Sequence, residues 1–182
     1  MEIDPWASKG VQNYKEICGK FGLEMIDHSK LPNPTHLHRR GIIFAHRDLN
    51  NVLEARNAGR PFGVLSGLMP SGQIHLGHKM VIDQAKWFQE LGGDVTITVA
   101  DLEAHATRGL SLEKCRKYAV EEYITNYAGM GLDSDKTTIY FQSERPIVQK
   151  LGFTLSKKTN LSEMEAIYGF SGDTNLAHVQ SP

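Results

Sequence analysis

Pro70-Ser71-Gly72-Gln73-Ile74-His75-Leu76-Gly77-His78 is the stretch that decides the fold, taken with the run Phe62-Gly63-Val64-Leu65-Ser66 just before it. The earlier run is short, apolar and bounded by Pro61 and Gly67, the pattern of a strand buried on both faces. Gly67 to Gly72 holds two glycines, a proline and a serine, and reads as a turn. Leu76 to Leu91 then carries apolar residues at Leu76, Met80, Ala85, Phe88 and Leu91, a helical spacing, and Gly92-Gly93 stops it. A strand, a glycine-bearing turn and a helix follow one another directly.

The pattern continues downstream. Val95-Thr96-Ile97-Thr98-Val99-Ala100 predicts a second strand, rich in β-branched residues. Ser111 starts a helix with Glu113 in its first turn, ending at Gly129 or Gly131. Thr137 to Phe141 predicts a third strand. A helix follows near Asn160 to Tyr168, with Ser162 and Glu165 spaced as a capping box, and another begins near Asp173-Thr174. Strands alternating with helices predict an α/β fold, a Rossmann-like parallel sheet joined by right-handed crossovers.

Upstream, residues 1–60 lack a steady period. Leu31-Pro32-Asn33-Pro34-Thr35 breaks any helix. Gly41-Ile42-Ile43-Phe44-Ala45 is a strand candidate, and Asp48 is placed to cap a helix running to Arg56 and ended by Gly59. The expected organisation is a small α+β extension over residues 1–60 and an incomplete Rossmann-like domain over 61–182.

Composition narrows the function classes. The chain has 182 residues, 40% hydrophobic and 23% charged, which suits a globular domain. No apolar run approaches the ~20 residues of a membrane helix, and acidic residues interrupt the first thirty positions, so no signal peptide is expected. Cys18 and Cys115 stand far apart in unlike contexts, which suggests neither disulfide nor metal cluster and favours the cytoplasm. With a net charge of -1, bulk electrostatics does not hold a nucleic acid; local patches would have to. Arg39, Arg40, Arg47, Arg56 and Arg60 read as a solvated basic surface.

In an open α/β sheet, ligands sit beyond the carboxyl ends of the strands, near helix N-termini. Here that place is the turn between Ser66 and His75. Gly67 and Gly72 permit close backbone approach and positive φ, and Gly77 would let an adenine or ribose lie flat against the first helical turn. His75 and His78, three apart, would share a helix face and look into one cleft. Two imidazole N–H groups there suit the charge that builds on phosphate oxygens during adenylate formation, a reaction that asks for positioning and fixed donors rather than a covalent nucleophile. Half of a metal site is the competing reading of His-x-x-His, but no third ligand stands at useful spacing, so no metal is expected. A pair of capping or surface histidines remains a further reading. Neither a Walker motif nor Gly-x-Gly-x-x-Gly is present.

Pro70 to His78 resembles the HIGH motif of class I aminoacyl-tRNA synthetases. Leu65-Ser66-Gly67-Leu68-Met69 and Ala100-Asp101-Leu102-Glu103-Ala104-His105 resemble segments of their tyrosyl/tryptophanyl subclass. Asp4-Pro5-Trp6, Phe44-Ala45-His46-Arg47-Asp48 and Ile167-Tyr168-Gly169-Phe170-Ser171-Gly172 are similar to the archaeal-type tryptophanyl members. The resemblance implies ATP, with Mg2+, bound by Gly67, Met69, Pro70, Ser71, Gly72, His75, Gly77 and His78, with His75 and His78 catalytic. It implies Glu103 at the substrate's ammonium and Leu65 and Thr98 lining the side-chain pocket. Tryptophan, ATP and tRNA(Trp) become the expected partners, and a homodimer the expected assembly. Leu65 offers no partner to a phenol, which counts against tyrosine. Tyrosine–tRNA ligase, a small nucleotidyltransferase with the same motif and a non-catalytic ATP-binding module are the alternatives. Family members are longer and carry a KMSKS loop; Leu155-Ser156-Lys157-Lys158-Thr159 lacks that motif's order and reads as solvated lysines. The chain is therefore expected to be an N-terminal part, with little ligase activity alone.

Overall fold

A computed structural model describes residues 14–168, with positions 177 and 179 beyond them, and the chain clusters into two compact units that divide between Arg60 and Pro61. Asp4-Pro5-Trp6, Gly169 to Gly172 and the helix start expected at Asp173-Thr174 lie outside the described residues.

The first unit contains α1 (Tyr14–Phe21), β1 (Glu24–Met25), a 3-10 turn at His28–Lys30, α2 (His36–Arg39), β2 (Ala45–His46) and α3 (Leu49–Asn57). β1 and β2 pair antiparallel, Glu24 opposite His46 and Met25 opposite Ala45. Cys18, Ile26, Leu31, Leu37 and Leu49 are buried. The strand expected over Gly41–Ala45 is displaced to Ala45–His46, because Gly41 takes a positive φ of 64° in the turn that follows α2. Asp48 does precede α3, but it sits at φ 60° with no side-chain cap; His46 Nδ1 accepts the Leu49 N–H instead, at 3.3 Å.

The second unit is built on β3 (Gly63–Leu68), β4 (Asp94–Val99) and β5 (Thr137–Phe141), all parallel in the order β3-β4-β5. α4 (Leu76–Glu90) connects the first two strands. α5 (Asp101–Arg108), α6 (Leu112–Tyr118), a π-helical turn (Ala119–Ile124) and α7 (Thr125–Gly129) connect the second pair. α8 (Pro146–Ser156) and α9 (Leu161–Tyr168) follow β5. The expected parallel α/β sheet is the one observed. Ser111 caps α6 as its sequence suggests, accepting the Lys114 N–H at 3.2 Å.

Alternation along parallel strands sorts side chains onto two faces. Leu68, Val95, Ile97, Val99 and Phe141 join Ile82 and Ala85 of α4 and Ala119, Tyr123 and Tyr127 in one core. The opposite face carries Leu65, Gly67, Thr96, Thr98, Thr138 and Tyr140, and Leu65 there is 74% exposed. Gln89 is buried among these apolar groups yet fully engaged. Its amide donates to Asp133 O at 3.2 Å, Lys136 O at 3.2 Å and Thr137 Oγ1 at 2.8 Å, and its oxygen accepts the Asp133 N–H at 2.8 Å. Those bonds hold the turn that feeds β5.

Three expectations need correction. β3 runs two residues past Ser66, through Gly67 and Leu68, which pair with Thr98 and Val99. A Cβ at Gly67 would stand 3.2 Å from Thr98 Oγ1, so this glycine marks a close approach inside a strand, not a turn. In α4 the buried positions are Ile82, Ala85, Trp87 and Gln89; Leu76 and Met80 are exposed, because the helix enters at the open mouth and meets the core only a turn later. Ser162 and Glu165 both lie inside α9, whose first turn closes from Met164 N to Asn160 O at 3.2 Å, so the capping box is not formed. Among the described residues no helix is long and apolar enough to cross a membrane.

Candidate active site

The carboxyl end of the sheet is level: Leu68, Val99 and Phe141 stand in register. From Leu68 the chain turns through Met69–Ile74 and enters α4. Pro70 is buried and Ile74 packs on the core, while Ser71, Gln73 and His75 face outward. The apolar residues anchor the loop and leave its polar residues at the mouth. Neither Gly67 nor Gly72 has a positive φ, contrary to the backbone freedom expected of both; Gly72 lies in the turn, Gly67 in β3.

His75 and His78 meet, though not as two residues on one helix face. His75 is the N-cap, extended at φ -141° and ψ 176°, and His78 lies in the first turn. His75 Nδ1 accepts the Gly77 N–H at 3.2 Å, and His78 Nδ1 accepts the His75 N–H at 3.2 Å. Each imidazole thus fills a capping role usually taken by serine and glutamate. The rings lie 4.0 Å apart between centroids. The capping reading of the pair is the one the structure forms: with both Nδ1 atoms accepting, the ring proton of each neutral imidazole resides on Nε2. Burial, and then the neighbouring His75, lower the His78 pKa and favour that neutral form.

Gly77 has a role the sequence did not reveal. A Cβ there would stand 3.0 Å from His75 Cε1 and 3.1 Å from Nδ1, so the bare α-carbon is what lets the His75 ring fold back over the helix start.

Asp101 opens α5 at the end of β4 and is buried. Its carboxylate accepts the N–H of Leu102 and of Ser143, each at 3.1 Å, and the Ser143 hydroxyl as well. Glu103 lies in the first turn of α5, half-buried. Thr98 Oγ1 donates to Ser66 O at 3.5 Å. Leu65 lies opposite Thr96, three residues short of the strand end, and its exposure means that no closed pocket surrounds it. Leu155 to Thr159 is exposed at the end of α8. Among the described residues no group of three His, Cys, Asp or Glu could hold a metal ion. Tyr123 and Ser143 were missed by sequence reasoning; only the fold brings Tyr123 beside His78 and Ser143 beside Asp101.

A family model for class I tRNA synthetases (W and Y) matches residues 57–181. The chain belongs to the class I tRNA synthetase family.

Members of this family resemble the chain beyond the matched region. It is 44% identical over 182 residues to the tryptophan–tRNA ligase of Methanosarcina acetivorans, covering 99% of this chain and 41% of that protein. With the tryptophan–tRNA ligase of Methanocaldococcus jannaschii it shares 44% identity, covering 100% of this chain and 50% of the relative. The crystal structure of tryptophanyl-tRNA synthetase from Aeropyrum pernix K1 superposes with a TM-score of 0.82 at 38% identity, covering 98% of this chain and 50% of the other. The chain thus spans half or less of the length of these synthetases.

Proposed function

We propose that this chain is the ATP-binding half of a tryptophan–tRNA ligase, which condenses tryptophan with ATP to tryptophanyl-adenylate and passes the aminoacyl group to tRNA(Trp). The observation that carries this reading is the reciprocal His75/His78 cap at the mouth of the parallel sheet. In adenylate formation the tryptophan carboxylate attacks the α-phosphorus and pyrophosphate leaves. Negative charge grows on the phosphate oxygens, and donors held in place beforehand stabilise it most. The two Nε2–H groups are such donors, fixed by the cap and neutral, so they hold the nucleotide without the grip of a permanent ion pair. The backbone and side chains of Gly67, Met69, Pro70, Ser71, Gly72 and Gly77 complete the ATP surface, and Mg2+ travels with the triphosphate. Glu103 faces the ammonium of the amino acid, and Leu65 and Thr98 belong to its side-chain pocket.

Tryptophan is favoured over tyrosine by two features. The likeness to tryptophan–tRNA ligases runs through the first sixty residues as well as the sheet, so the first unit is read as their N-terminal extension. Leu65 presents no group to bond a phenol. We further propose a homodimeric, cytoplasmic protein. α8 buries none of its side chains, and Ile147, Leu151, Phe153 and Leu155 stand exposed along it.

The deciding experiment is ATP–pyrophosphate exchange by the whole gene product across a panel of amino acids. Exchange that depends on tryptophan is expected. Exchange with tyrosine and none with tryptophan overturns the substrate.

A further inference from the structure

Tyr123 is 1% exposed and stands on the π-helical turn Ala119–Ile124. Such turns gather at functional sites, because the widened backbone re-aims a side chain that a regular helix would point elsewhere. Two groups at the mouth meet this one residue. Its ring packs edge to face with His78, with centroids 5.1 Å apart and planes at 87°. Burial raises the pKa of its phenol, and Ser71 and the Gly72 backbone beside the phenol oxygen pull it the other way. Behind it the Tyr127 ring stands 6.3 Å away, again at 87°, and braces it from the core side.

We propose that Tyr123 is a positioning residue of the nucleotide mouth, its phenol oxygen fixing the Ser71–Gly72 segment and its ring fixing the orientation of the His78 imidazole. The inference rests on the reading of that mouth as the ATP site. A buried phenol needs a hydrogen-bond partner wherever it lies. What sets Tyr123 apart is that its phenol borders the loop beside the helix entrance, while its ring touches the histidine that closes the cap. One stiff side chain with two torsions therefore couples the two halves of the mouth. A loop ordered before the nucleotide arrives spares binding the entropy of ordering it, so the phenol acts on affinity. The ring acts on His78, and so on the chemical step.

The two contacts separate by substitution. Tyr123→Phe keeps the ring and removes the oxygen. The backbone amides of Ser71 and Gly72 are expected to exchange with deuterium about fivefold faster, and KM for ATP in pyrophosphate exchange to rise about fivefold, the scale of one net hydrogen bond. kcat and the pH midpoint of the His78 ring, followed by NMR, stay at their wild-type values. Tyr123→Leu removes the ring as well; the His78 midpoint then rises toward that of a hydrated imidazole, and kcat falls. If Tyr123→Phe leaves both the loop amides and the ATP KM unchanged, the tether is overturned. It is overturned too if both variants lose activity only in step with their folded fraction, with KM and the His78 midpoint unmoved. If the amides and His78 respond as described while all three proteins bind ATP alike, the reading of the mouth as an ATP site fails instead.

Discussion

Asp101 Oδ1 accepts the backbone N–H of Ser143 at 3.1 Å, and so ties the carboxyl end of β4 to the carboxyl end of β5. The same carboxylate accepts the Ser143 hydroxyl and the Leu102 N–H. A carboxylate buried to 2% exposure is tolerable only because charged lone pairs meet donors on three sides. The bond matters to function because it levels the edge of the sheet on which the mouth is built.

Asp101→Ala is therefore expected to lower stability by about 2 kcal/mol, since it strands the Ser143 donors. Asp101→Asn, whose oxygen still accepts a backbone N–H, should cost less than half as much. Urea unfolding measures both, with the midpoint falling and the slope unchanged. Equal costs for the two variants would mean that the carboxylate's charge, not its acceptor geometry, sets the effect.

The first unit repeats the device seen at the mouth. Thr35 caps α2, and His38 Nδ1 accepts the Thr35 N–H at 3.1 Å. His38 is 2% exposed, and burial, then the neighbouring His28, lower its pKa from the ordinary 6.5. The unfolded chain then takes up a proton at a higher pH than the folded one. Below that ordinary value the unfolded state binds more protons, so stability falls as pH drops and is fully present above it. Acidification from neutrality through this window is expected to lower stability, because the unfolded chain takes up a proton that the folded, buried His38 resists. His38→Gln, which keeps an acceptor at the capping position but does not titrate, should remove that loss. Thermal unfolding of the two proteins at several pH values checks it; parallel curves would show that His38 does not titrate with folding.

Gly77→Ala separates helix stability from the geometry of the mouth. Gly77 has no positive φ, so alanine suits its backbone and adds helix propensity of about 1 kcal/mol. The new methyl would press on His75 Cε1 and Nδ1 and push the ring off the cap, at a cost of about the same size. Stability should change little while ATP affinity falls. Calorimetry with ATP, beside urea unfolding, tests the pair of outcomes, and unchanged affinity would detach His75 from the nucleotide.

Elements that follow from periodicity were legible in the sequence. The three parallel strands and the Ser111 cap arise from local rules, the row of β-branched residues around Ile97 and the hydroxyl ahead of Glu113. What was not legible depends on neighbours distant in the chain. Gly67 read as a turn residue because no local rule announces Thr98 beside it. The start of α4 read as a buried stripe, since Leu76 and Met80 keep the helical spacing even where no core lies beneath them. At the candidate site His75 and His78 were visible as a pair, with capping as one reading of them, but the reciprocal geometry of the cap was not, because it requires the N-cap to be extended. Tyr123 carried no signal, being brought to the mouth by packing across the 44 residues of chain between it and His78.

His78→Gln is the sharpest separation of structure from chemistry. Glutamine at this position of a capping box accepts the N-cap N–H as His78 Nδ1 does, so α4 should keep its start and the protein its stability to within about 0.5 kcal/mol. The Nε2–H donor is replaced by nothing in the same place. Adenylate formation, read as ATP–pyrophosphate exchange by the whole gene product, should then slow by ~10², the scale of one lost donor at a developing oxyanion, with tryptophan binding nearly unchanged. His78→Ala should slow exchange as much and also cost about 1 kcal/mol of stability, because the cap goes with the ring. If the glutamine variant exchanged at the wild-type rate, the imidazole would be a cap alone, and the charge on the departing pyrophosphate would have to be met by other groups.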